Sequence, residues 1–255
     1  AMRRSRYLIT SVFLLLSLFA PSALSQSRVP RVYKIEGVQR IIQLTNHCGP
    51  AVLTSVYNYF GTEITQKEIG SKIYDPINGA TNGADMLIHA RELGFSAYSW
   101  NSSVKDVKRK IAAGNPVIVL QQNSSKDTSG HYRLLVGFDD RKSLFNVIDP
   151  YYDNISEMTY QDCEKLWSGK GNWALLVVPK EKDTYVRELD LRNPVVHMDL
   201  SYGEYKRGNY DAALREAELA VRLEPHNTYA KSMLDKIEVA LGAGKKKTET
   251  ANNRP

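Results

Sequence analysis

Cysteine is scarce in this 255-residue chain: Cys48 and Cys163 are the only two, and neither belongs to the paired motif that a structural zinc site needs. Histidine is thin as well, with five residues and no His-Glu-x-x-His run. His89, His197 and His226 show no metal-ligand spacing, so neither a metal nor another cofactor is expected. No glycine-rich phosphate loop is present. A one-signed charge is also missing from the body of the chain. The net charge of +6 comes from 34 basic and 28 acidic residues, and the ends supply all of it. Arg3, Arg4 and Arg6 give +3, and Lys245, Lys246, Lys247 and Arg254 against Glu249 give another +3. A neutral body offers no basic face for nucleic acid, and none is expected as a partner. With 42% hydrophobic and 24% charged residues the composition is that of a folded globular protein, which excludes wholesale disorder and a collagen-like chain.

The apolar run from Tyr7 to Ala20 is too short for a comfortable membrane span. Preceded by three arginines and followed by Pro21 and Ala23-Leu24-Ser25, it reads as a cleavable signal peptide over residues 1–25. The expectation is an exported protein, periplasmic or secreted from a bacterium, that meets a membrane only through this signal. No cysteine follows the cleavage site to carry a lipid anchor. In an oxidising compartment the default for two cysteines is one Cys48–Cys163 disulfide. Against it, Cys48 lies in a patterned segment with its own chemical logic, and an exported nucleophile must stay a free thiol. Asn101, Asn123 and Asn154 begin Asn-x-Ser sequons, which matter only in a eukaryotic secretory pathway.

After a linker over residues 26–37, the segment 38–182 alternates helix and strand signals. Val52, Val56, Tyr59 and Phe60 recur at helical spacing, with Pro50 at the start and Gly61 at the stop, so Cys48 lies at a helix N-terminus. Thr65 with Glu68 opens a second helix, Gly83 to Leu93 forms a third closed by Gly94, and Ser103 with Asp106 opens a fourth that ends at Gly114. Strand patterns follow at Pro116 to Leu120, His131 to Phe138, Leu144 to Ile148 and Trp173 to Val178, with one more helix at about Tyr160 to Trp167. Helices first and a mostly antiparallel sheet second make an α+β domain. A linker over 183–195 leads to three helical segments over 196–242, and a basic disordered tail over 243–255 closes the chain.

The chemistry gathers at Gln43, Cys48, His131 and Asp149. A helix N-terminus lowers a thiol pKa because its unpaired N–H groups carry partial positive charge. His131 opens an apolar strand, where it can take a proton and return it to a leaving group. Asp149 closes the next strand, where it can hold the imidazole tautomer. Gln43, five residues before Cys48, can supply an amide donor to a developing oxyanion. His47 is expected to be only an exposed neighbour of Cys48. The loops 78–83 and 123–130 are rich in small residues, and Gly79, Gly83 and Gly130 in them would let a substrate backbone approach closely.

Gln43, the run Cys48-Gly49-Pro50-Ala51, the helix end Tyr59-Phe60-Gly61, Gly130-His131-Tyr132 and Asp149-Pro150 together resemble the bacteriocin-processing cysteine peptidases. These are papain-like domains that cut double-glycine leaders in peptide exporters, together with stand-alone exported relatives. The resemblance covers about residues 38–180. It implies a papain-like fold, with Cys48 as nucleophile, His131 as base, Asp149 as orienting acid and Gln43 as oxyanion donor. With its export signal, the chain is similar to the stand-alone members. The C-terminal segment resembles a tetratricopeptide repeat through Leu200, Gly208, Tyr210, Ala213, Ala220 and Pro225. One repeat makes no extended groove, so it either packs against the catalytic domain or binds a protein partner. The expected activity is hydrolysis of a peptide bond after small residues in a peptide or protein substrate, through a thioester on Cys48, by a monomer. Its rivals are a non-catalytic binding or secretion-accessory module and an acyltransferase.

Overall fold

The chain is organised by an antiparallel sheet whose strands are brought together from across the sequence. The structure, a computed structural model, describes residues 29–153, 156–183 and 191–252. The expected signal peptide, the start of the first linker, residues 184–190 of the second linker and the last three residues of the tail lie outside them. The two central strands are β5 (Val117–Gln122) and β6 (Gly130–Asp139), paired from Val117–Leu135 to Gln122–Gly130. On one side β5 meets β9 (Trp173–Val178), which meets β4 (Ser96–Asn101). On the other side β6 meets β7 (Leu144–Ile148), which meets β8 (Glu157–Thr159). The short β1 (Val32–Lys34) also pairs with the end of β6 and completes the seven-stranded sheet.

The β-branched and leucine-rich runs in β5, β6 and β9 are buried along almost their whole length, as strands covered on both faces should be. Helix α1 (Cys48–Tyr59) is the central helix, and nine of its twelve residues are buried. Around it lie α2 (Gln66–Ile73), α3 (Gly83–Glu92), α4 (Val104–Ala112) and α5 (Tyr160–Ser168), with a small hairpin of β2 (Tyr74–Asp75) and β3 (Ala80–Thr81). The capping signals act as the sequence suggests. Thr65 and Glu68 form a reciprocal capping box on α2, Ser103 caps α4, and Gly94 and Gly114 take positive φ after α3 and α4.

Three helices follow: α6 (Pro194–Lys206), α7 (Tyr210–Leu223) and α8 (Thr228–Asn252). Ala213 and Ala217 of α7 pack against Met233 and Ile237 of α8 in a small second core. Helix α6 belongs to both cores, because Val196 and Leu200 join the main cluster. It starts two residues before the expected boundary at 196, with Asn193 as its cap and Pro194 in its first turn, the pairing that favours a helix start. Asn193 also donates to the Ser99 carbonyl, 2.5 Å, so the linker end is a docked element. Ion pairs from Lys206 and Arg207 to Asp85 fix the other end of α6 on α3. Helix α8 runs ten residues past the expected end at 242, into the segment read as a disordered tail. Among the described residues no helix is long and apolar enough to cross a membrane.

Gly137 marks the tightest crossing in the sheet, where β6 is flanked by both β1 and β7 next to a register shift. A Cβ there would lie 2.5 Å from Asn146 Oδ1 and 2.9 Å from the Tyr33 carbonyl oxygen, a backbone atom that cannot swing aside. Gly137→Ala is therefore expected to lower stability by about 1–3 kcal/mol, measured as a lower denaturant midpoint with an unchanged slope.

Candidate active site

Cys48 is the first residue of α1, and the turn that aims it is built locally. Asn46 takes a left-handed conformation, φ 59°, and the His47 N–H closes on the Leu44 carbonyl at 2.9 Å. No acidic residue stands in the first turn of α1, so nothing cancels the partial positive charge at its N-terminus. His47 is not the exposed neighbour expected. Its ring is half-buried, stacks on Tyr74 at 4.4 Å, and covers Gly70, where a Cβ would come within 2.8 Å. Its Nδ1 lies 2.6 Å from the Thr45 carbonyl oxygen, so the ring braces the turn rather than serving as a second imidazole.

The four residues singled out from the sequence converge. His131 hydrogen-bonds to the Cys48 thiol, and its Nε2 lies 3.0 Å from Asp149 Oδ1. Asp149 follows β7, and its carboxylate is fully buried and saturated. Oδ1 also accepts from the backbone N–H groups of Tyr151 at 2.8 Å and Tyr152 at 2.9 Å, while Oδ2 accepts from Arg133 Nε at 2.6 Å. Gln43 lies on the same cleft wall, its side chain makes no hydrogen bond to the described protein, and its Oε1 is buried.

Electrostatics follow from these contacts. Burial would push the Cys48 thiol up, but the hydrogen bond and charge of His131 and the N–H groups of Tyr132 and Gly49 outweigh it and lower its pKa. Burial would likewise pull His131 down, yet Asp149 and Cys48 hold it above its ordinary value. Desolvation opposes the ionised Asp149, and His131, the Tyr152 N–H and Arg133 overcome it and bring the carboxyl to about 2. Both shifts favour a thiolate paired with an imidazolium. Cys163 is different: buried in α5 beside Gln121, its thiol is pushed up to about 12. The two cysteines are free and form no disulfide.

Two residues of the site escaped the sequence reading. Arg133 is fully buried, and besides Asp149 it binds Gln121, the Gln122 carbonyl and the Asn123 carbonyl, which ties the loop after β5 to the acid. Its signal was an arginine two residues after His131 in an apolar strand, hence on the same face. Arg40 donates to the Asp149 carbonyl at 2.5 Å and pairs with Asp153, while the Gln43 N–H reaches the Pro150 carbonyl at 2.9 Å. The segment carrying Gln43 is thus fastened to the turn carrying Asp149.

These groups line a cleft of about 730 Å³. Gly79, Gly83 and Gly130 all border it, but the space they leave is used differently. At Gly83 a Cβ would strike the Trp173 ring at 2.6 Å, and at Gly130 it would press on Leu120 at 3.2 Å. Those two absences make room for the protein's own side chains. Only Asn46, at 3.7 Å, would come near a Cβ at Gly79, and that position has φ 61°. Among the described residues no group of three or more histidine, cysteine or acidic side chains could hold a metal.

A thiol, an imidazole and a buried carboxylate joined in series, on a helix packed against an antiparallel sheet, define a papain-like cysteine peptidase domain. The model of the Peptidase_C39-like family matches residues 29–176, and the chain belongs to that family. Comparison with curated proteins yields no match. Similar solved structures include a C39-like peptidase from Bacillus anthracis, 15% identical over 59% of this chain and 99% of that one, TM-score 0.49. The peptidase domain of Streptococcus ComA, a bifunctional ABC transporter of a quorum-sensing pathway, is 20% identical over 56% of this chain and 99% of its own, TM-score 0.46. A double-glycine-motif protease of an AMS/PCAT transporter, solved with its leader peptide, is 17% identical over 58% and 95%, TM-score 0.45.

The signs of the shifts fix a pH window. The thiolate is lost as pH falls through the lowered Cys48 value, and the imidazolium is lost as pH rises through the raised His131 value. At neutral pH iodoacetamide should therefore modify Cys48 and leave Cys163 untouched, as read by peptide mass spectrometry. His131→Ala should slow Cys48 modification at neutral pH, since restoring the thiol pKa removes thiolate.

Proposed function

We propose that the protein is an exported peptidase that hydrolyses a peptide bond through a thioester on Cys48. The observation that carries this reading is the Cys48–His131–Asp149 series on the wall of a peptide-sized cleft. The Cys48 thiolate attacks the scissile carbonyl carbon and forms the C–S bond, and the carbonyl oxygen takes the negative charge. The NH2 group of Gln43, left unpaired where its Oε1 is buried, and the Cys48 N–H are the donors for that oxyanion. Collapse breaks the C–N bond, and the His131 imidazolium gives its proton to the leaving amine. A water then loses its proton to His131 and attacks the thioester, which releases the acid and restores the thiolate–imidazolium pair. Asp149 keeps Nε2 occupied throughout, so Nδ1 faces the sulfur.

The arginine-led apolar run before Ala23 and Ser25 supports export. Open space at Gly79 supports a small residue near the cleaved bond. The repeat-like pattern of the C-terminal helices is read as a single tetratricopeptide-like unit that braces the catalytic domain through α6, in a protein that acts as a monomer.

An electrophilic peptide probe should label the wild-type protein at Cys48 and fail to label Cys48→Ala. Hydrolysis of a peptide substrate by Gln43→Ala should fall about a hundred- to a thousandfold in kcat, measured in steady state. Probe labelling that persists in Cys48→Ala, or turnover unchanged by the Gln43 substitution, would remove Cys48 or the oxyanion assignment respectively.

A further inference from the structure

The cleft that holds Cys48 has one wall residue from outside the family-matched segment: Asp199 of α6. Its carboxylate is held asymmetrically. Ser99 Oγ donates to Oδ2 at 2.5 Å and Trp173 Nε1 donates to the same oxygen at 2.8 Å. Oδ1 receives no hydrogen bond from any described residue, and no lysine, arginine or histidine among them pairs with Asp199. Other sequestered acids of this protein are compensated: Asp149 by Arg133, Asp85 by Lys206 and Arg207, Asp140 by Lys108. Desolvation accordingly drives the Asp199 carboxyl above its ordinary range despite its two donors, which is how an acid lacking a counter-charge behaves.

Its place relative to the sulfur is fixed by a short chain of contacts. The Tyr132 N–H reaches Cys48, the Tyr132 ring meets the Trp173 ring edge-on at 5.8 Å, and Trp173 holds Asp199. The Tyr132 hydroxyl, shielded from water first of all, is kept protonated also by the charges of both Cys48 and Asp199. Asp199 therefore occupies the Trp173 end of the cleft that holds Cys48. The indole is itself rigidly seated, because it fills the space above Gly83.

Resting on the peptidase reading of the cleft, we propose that Asp199 Oδ1 forms a subsite for a lysine or arginine side chain of the substrate, so that the C-terminal helical unit sets part of the specificity. A cation at Oδ1 supplies the counter-charge the protein itself withholds, in a charge-assisted hydrogen bond to an oxygen already oriented by its partner atom. A norleucine, with the same four-carbon stem but no ammonium group, would leave the acid uncompensated.

The test is a position-scanning peptide library presented to the full-length protein, with lysine and norleucine compared at each position. At one position lysine should raise kcat/KM at least about tenfold over norleucine. That ratio should fall close to one in Asp199→Asn, whose amide oxygen can still accept from Ser99 and Trp173. It should persist in Ser99→Ala, which keeps the charge. The ratio is internal to each variant, so a general loss of stability cannot imitate the result. Affinity selection from the same library on immobilised Cys48→Ala protein separates the two readings. Selection of basic peptides that depends on Asp199, without hydrolysis by the wild type, would uphold the subsite and overturn the peptidase. A wild-type protein with no preference for a basic residue in either assay, or a preference unchanged in Asp199→Asn, would overturn the subsite.

Discussion

A single buried carboxylate holds the working parts of this protein in register. Asp149 is fully buried, and such a group stays ionised only if donors replace the water it has lost. Here the donors are the elements of the site themselves: the His131 ring, the Arg133 guanidinium, and the backbone N–H groups of Tyr151 and Tyr152. The same residue's carbonyl accepts from Arg40, which anchors the segment that carries Gln43. Satisfying one acid therefore fixes the imidazole, the loop after β5 and the segment that carries Gln43 at once. Losing that acid would strand a buried arginine as well as free a histidine, a loss that reaches beyond the tautomer.

The thiol is prepared from the other side of the cleft. A buried sulfur resists ionisation, and neither the helix end nor the imidazole alone has to overcome that resistance. The N–H groups of Gly49 and Tyr132 and the cationic ring of His131 act together, and the negative sulfur in turn supports the positive ring. Cys163 supplies the internal comparison. It is fully buried where Cys48 is half-buried, the only hydrogen bond its thiol accepts among the described residues is from the neutral Gln121 amide, and burial drives it upward. The two cysteines differ in the set of donors each one meets as well as in exposure.

How far the sequence could be read follows from where each residue finds its partner. Helix α1, the capped starts of α2 and α4, and strands β7 and β9 were legible because periodicity and caps are local signals. Cys48, His131 and Asp149 were legible because they sit at element ends, and Gln43 because it precedes Cys48 in a recognisable order. Strand β4 was not, since Ser96 and Ser99 look like turn residues until Asp183 and Asp199 arrive to pair with them, the latter from 100 residues away. Arg40 was hidden for the same reason, with its acceptor 109 residues on. The boundary of the helical unit was placed slightly late because Asn193 and Pro194 read as linker, although they are a helix start whose cap also bonds to the sheet. The use of Gly83 and Gly130 as packing space for Trp173 and Leu120 could not be read without the tertiary neighbours.

The central claim is that His131 is held protonated above its ordinary pKa because it stands between the Cys48 sulfur and a buried carboxylate. The direct measurement is the NMR titration of the His131 ring nitrogens in protein labelled with nitrogen-15 at histidine, in the wild type and in Cys48→Ala. The account predicts a ring protonated on both nitrogens to above pH 6.5 in the wild type, with the transition moving to lower pH when the sulfur is removed. A ring that titrates at or below its ordinary value in the wild type, and is indifferent to the loss of Cys48, would contradict it.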